Sequence, residues 1–67
     1  MDIKVVFGRR VKENRLKLQL SQEKLAELAD IDRTYVPSIE KGERNVSIEV
    51  AQRLAHSLKV EISELLK

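Results

Sequence analysis

The stretch SQEKLAELADIDRTYVPSIEKGERN, residues 21–45, carries the most information in this 67-residue chain. Its first residue, Ser21, is a good helix N-cap, because its hydroxyl can accept a hydrogen bond from a free first-turn amide. Gln22 and Glu23 follow in the first turn, where negative charge suits the helix dipole. Leu25, Ala26, Leu28 and Ala29 then form the apolar face of a short helix. Asp30 and Ile31 make the turn after it. Asp32 caps the next helix, which the pattern carries to about residue 41, with Val36 and Ile39 inward and Gly42 as its stop. Two helices joined so tightly cross at a steep angle. Ala26 and Ala29 are small enough to permit the approach, and Ile31 is the apolar residue that plugs the corner.

On either side of this stretch the periodicity stays helical. Phe7, Val11 and Leu18 recur at helical spacing, predicting a first helix over about 5–17. Gly8 lies within it and costs about 1 kcal/mol relative to alanine unless a neighbour needs the room. Residues 43–46 read as a polar loop. Ser47 caps a fourth helix whose stripe is Ile48, Ala51, Leu54, Ala55 and Leu58, and Ile62, Leu65 and Leu66 predict a short final helix after Val60. The expected fold is all-α, a compact five-helix bundle forming one domain over residues 1–67.

Composition removes several function classes. There is no cysteine and only one histidine, His56, so neither a disulfide nor a cysteine-based metal site is expected, and no cofactor is implied. Apolar runs reach only two or three residues, so no membrane span is expected. The opening MDIKVVFGRR lacks the apolar region of a secretion signal, and the expected location is cytoplasmic. An enzyme is disfavoured, because there is no glycine-rich phosphate loop and so small a domain has little room for a substrate cleft of about 300 Å³. No small-molecule ligand is expected. The formal charge of +2 decides nothing by itself, because where the charges lie matters more than their sum.

A tight pair of capped helices is the geometry in which one helix crosses a DNA backbone and the next enters the major groove. The residues also carry a family likeness. The SQ-x-x-LA opening, the RTYV-x-S-IE-x-G-x-RN core and the SIE-x-x-x-x-LA continuation resemble the lambda-repressor-like helix-turn-helix proteins, with the two-helix unit over about residues 21–41. Within that family the chain is most similar to the small controller proteins of restriction-modification systems. The resemblance implies a double-stranded DNA operator as partner, a homodimer, and transcriptional regulation. Phage-type or chromosomal repressors and antitoxins share the pattern. A helical protein-interaction module would favour acidic or apolar residues where this chain has Arg33, Thr34 and Ser38.

From the third helix, Arg33, Thr34 and Ser38 are the expected base contacts: arginine offers paired donors to guanine, and threonine can meet a thymine methyl. Ser21, Gln22, Tyr35, Arg44 and Asn45 are the expected backbone contacts, at the start of the second helix and around the loop after the third. Matching family positions imply that Arg15 and Glu40 form a structural ion pair between the first and third helices. Pro37, counted from a cap at Asp32, falls at the fifth helical position, where it would cost about 3 kcal/mol. So small a core cannot accept every apolar side chain near the end of the chain. Leu58, Val60, Ile62, Leu65 and Leu66 are therefore the expected dimer interface.

Overall fold

A computed structural model describes residues 2–67 as α1 (Ile3–Lys17), α2 (Gln22–Ala29), α3 (Tyr35–Glu40), α4 (Ile48–Ser57) and a closing 3-10 helix (Ile62–Leu66). Among the described residues the architecture is all-α, with four α-helices rather than five. The last element is only five residues long and has no side-chain cap, and it opens on a tight turn from Glu64 N–H to the Glu61 carbonyl at 2.9 Å. No helix among the described residues is long and apolar enough to cross a membrane.

Side-chain caps start three of the helices. Asp2 Oδ1 accepts from Lys4 N–H at 2.9 Å and begins α1 two residues earlier than the apolar spacing suggests. Ser21 and Ser47 cap α2 and α4 through the amides of Lys24 and Val50, at 3.0 and 3.1 Å.

The start of α3 differs from expectation. Asp32 Oδ1 accepts from the backbone N–H of Thr34 at 2.9 Å and from its hydroxyl at 2.7 Å. Tyr35 N–H then bonds the Asp32 carbonyl at 3.0 Å. Residues 32–34 are thus a turn, and α3 begins at Tyr35. Pro37 becomes its third residue, inside the first turn, where an amide has no helical acceptor in any case. The cost expected from a mid-helix proline does not arise.

All four α-helices stop alike, in a left-handed residue: Gln19, Asp30, Gly42 and Lys59 have φ between 56° and 74°. After each, the next amide reaches back five residues, as in Leu20 to Arg15 at 3.1 Å and Ile31 to Ala26 at 3.0 Å. At three of the four ends the residue that follows is apolar and is thereby returned to the core, while Glu43 after Gly42 stays exposed. This accounts for the half-buried positions of Leu20, Ile31 and Val60.

The core is built from Phe7, Val11, Leu25, Val36, Ile39, Leu54, Leu58 and Leu65 with alanines between them. Gly8 has the neighbour that its position called for. A Cβ there would run into the carbonyl oxygen of Ile39, so its absence lets α1 lie directly on the end of α3. Three expected core residues are exposed instead. Leu28 lies on the flank of α2 beside the Leu25–Ala29 stripe, Leu18 follows the end of α1, and Ile48 is the first residue of α4, overhanging its neighbours at 82% exposure.

Because Pro37 sits in a first turn, Pro37→Ala is expected to change unfolding free energy by less than about 1 kcal/mol, against the ~3 kcal/mol gain due if it interrupted the helix. Denaturant melts of the two proteins measure the difference.

Candidate nucleic-acid interface

The corner between α2 and α3 is locked from beneath. Arg15 on α1 meets Glu40, the last residue of α3, through two hydrogen bonds, Nε to Oε2 at 2.7 Å and Nη2 to Oε1 at 3.1 Å. Its remaining Nη1 donates to the Leu20 carbonyl in the turn before α2 at 2.8 Å. Gln22, the first residue of α2, donates from Nε2 to Glu40 Oε1 at 3.0 Å. The two charged side chains are 10% and 4% exposed, which removes them from competing water and leaves each fully bonded to the other elements. One polar knot therefore joins α1, α2 and α3.

Above the corner lies a polar surface. Arg33 and Thr34, in the turn that leads into α3, are exposed. Arg33 Nη1 lies 3.3 Å from Glu23 Oε2 across the corner, an open contact with both side chains about three-quarters exposed. On the outer side of α3, the Arg44 guanidinium lies over the Tyr35 ring, 4.3 Å from its centroid. Arg44 Nε donates to Ser38 Oγ at 3.0 Å, and Ser38 donates to the Tyr35 carbonyl at 2.9 Å. The hydrogen bonds from Thr34 and the positive charge of Arg33 hold the Asp32 carboxyl below the usual aspartate range. No cluster of three or more metal-ligating side chains occurs among the described residues.

This arrangement has known counterparts. A family model described as helix-turn-helix matches residues 11–65. The chain belongs to the helix-turn-helix family. It is 46% identical over 65 residues to control protein C.MunI from a Mycoplasma species, covering 96% of this chain and 88% of that protein. The restriction-modification controller protein C.AhdI from Aeromonas hydrophila superposes with a TM-score of 0.89 at 47% identity, over 92% of this chain and 94% of the other. SinR, a master regulator for biofilm formation solved in complex with DNA, superposes at 0.86 with 32% identity, over 91% and 98% of the two chains.

The expected contact residues fall into two sets. Arg33, Thr34, Ser21, Arg44 and Asn45 lie exposed around the corner between α2 and α3, and all but Asn45 also bond to a neighbour in the chain. The other three are committed to residues of the expected set or to the buried ion pair. Gln22 is drawn to Glu40, Ser38 spends both its donor and an acceptor on Arg44 and Tyr35, and the Tyr35 ring supports Arg44. Glu23 was absent from the expected set; its signal is a first-turn carboxylate on α2 opposite the turn that carries Arg33.

The expected dimer residues also divide. Leu58 and Leu65 are 2% and 0% exposed inside the chain itself, so they have no surface to give a partner. They correct the expectation: Leu58, just past the end of α4, and Leu65 of the 3-10 helix both turn into the core. Val60, Ile62 and Leu66 retain accessible surface. Ile62 and Leu66 join Ile3, Phe7, Val46 and Ile48 around an apolar groove of about 220 Å³, with Lys4, Arg44 and Asn45 also on its walls.

The lowered Asp32 pKa implies a sign for its contribution to stability. A carboxylate held ionised by folding stabilises above its unfolded pKa and loses that contribution as pH falls through the folded one. The stability difference between wild type and Asp32→Ala is therefore expected to stay constant from neutral pH to about pH 5 and to shrink below about pH 4. Thermal melts across that range check it.

Proposed function

We propose that this chain is a controller of a restriction-modification system, a transcription regulator that binds double-stranded DNA as a homodimer in the cytoplasm. The carrying observation is its near end-to-end match to two control proteins, on a helix pair that leaves Arg33 and Thr34 exposed at the start of the second helix. It acts as one domain and as a regulator rather than an enzyme, in keeping with relatives described as control and controller proteins. Arg33 and Thr34 address base edges in the major groove, while Ser21, Arg44 and Asn45 hold the sugar–phosphate backbone. With a net charge of only +2, affinity depends on where these few cations lie.

Binding is expected on a pseudo-palindromic duplex with half-sites roughly 34 Å apart, one helical turn. Arg33→Ala should relax preference at one base pair per half-site, at a cost of about 1–3 kcal/mol. Competition by operators carrying single-base changes measures this. Equal weakening on every operator would assign Arg33 to the backbone instead.

The homodimer forms across the apolar groove, where a two-fold contact sets like residues against like. Ile48 is the most exposed of the large apolar residues described, so its replacement leaves the core intact. Ile48→Asp is expected to shift the protein to monomer in sedimentation while its helical circular dichroism persists, because an unpaired carboxylate at a buried contact is costly. A variant that stays dimeric would move the interface to another face.

A further inference from the structure

Arg44 follows α3 in a loop, yet two contacts hold its guanidinium and a third fixes one of those partners. The Tyr35 ring lies beneath it at 4.3 Å, Ser38 Oγ accepts from its Nε at 3.0 Å, and Ser38 is itself fixed by donating to the Tyr35 carbonyl at 2.9 Å. Ring, hydroxyl and guanidinium thus close a circuit on the outer side of α3. It occupies one face and the Nε of the guanidinium. The two Nη groups make no hydrogen bond to other described residues, and Arg44 is exposed. Such a side chain is a pre-set donor fork for a phosphate, because the planar guanidinium bonds two oxygens at once when it is held in the right plane.

We propose that Tyr35 and Ser38 are positioning residues for Arg44, holding its fork ready for a phosphate of the DNA backbone rather than contacting DNA with their own polar atoms. This rests on the assignment of Arg44 as a backbone contact. An arginine left free in the loop would lose its rotamer freedom on binding; one already stacked and hydrogen-bonded has lost much of it on folding. The Tyr35 hydroxyl is not needed for this, since the face of the ring attracts the cation. Ser38 cannot donate to a base edge without releasing the Tyr35 carbonyl, the bond that fixes its hydroxyl beneath Arg44.

The test is operator affinity of the full chain by fluorescence anisotropy at several salt concentrations, with thermal melts of every variant. Tyr35→Phe should bind within about twofold of wild type, because the ring face is retained. Tyr35→Leu should bind roughly twofold to tenfold more weakly with the salt slope retained, since the charge is present but less often in place. Arg44→Ala should lower the slope by about 1.8, one phosphate contact in each half-site of the dimer. In the Arg44→Ala background, Tyr35→Leu and Ser38→Ala should cost nothing more. If Tyr35→Leu fails to fold, the Ser38→Ala and Arg44→Ala cycle gives the same decision. In the free protein, nuclear magnetic resonance should show Arg44 side-chain protons shifted by the Tyr35 ring current, a signature lost in Tyr35→Leu.

A loss in Tyr35→Phe equal to that in Tyr35→Leu would show a direct hydroxyl contact and overturn the proposal. So would losses that remain additive with Arg44→Ala. An Arg44→Ala variant with unchanged affinity and slope would instead overturn the backbone assignment beneath it, and a wild type that binds no duplex would overturn both.

Discussion

Arg15 and Glu40 meet where water is nearly excluded, and the placement of the first three helices depends on their contact. The guanidinium bonds the last residue of α3 and the turn before α2, while the carboxylate also takes the amide of Gln22 at the start of α2. Desolvating two charges offsets much of their attraction, so such a pair adds little net stability compared with apolar side chains of similar size. Its contribution is directional. Gly8 adds the complementary constraint, because only a residue without a Cβ lets α1 rest on the Ile39 carbonyl. Together they fix the end of α3 against the start of α2, and the exposed corner above inherits that geometry.

The surface over the corner is organised by short-range chemistry rather than by overall charge. Asp32 shapes the turn into α3 through Thr34, and Glu23 faces Arg33 across it. Arg44 is stacked and hydrogen-bonded against α3. Asp32, Tyr35 and Ser38 therefore place other residues. Arg44 and Asn45 lie on the wall of the apolar groove as well as in the loop after α3, so the groove and the surface over the corner adjoin at these residues.

Much of this was legible in the sequence because it rests on local rules. Ser21 and Ser47 announce their helices, the alanines of α2 announce a close crossing, and Ile31 announces a plugged corner. Other features depend on distant partners. Gln19 and Lys59 take left-handed conformations without being glycine, so nothing in their residue types marks those helix ends. The start of α3 depends on Asp32 bonding Thr34 instead of capping a helix, and that choice moved Pro37 into a harmless position. Helical spacing placed Ile48 on the inward stripe, but a first-turn residue projects beyond the helices it would face. Ser38 lies on the side of α3 that the pattern marked as outward; its use by Arg44 is visible only in three dimensions.

The central claim is that the buried ion pair sets orientation. A double-mutant cycle of Arg15→Met and Glu40→Leu, read by both denaturant unfolding and operator affinity, tests it most directly. Each single change strands a charge and should cost about 3–5 kcal/mol of stability, while the apolar double variant should recover most of that loss. Operator affinity should remain reduced in the double variant, because α2 and α3 would be packed but no longer held in one relation. A double variant that recovers stability and binds the operator like wild type would contradict the account.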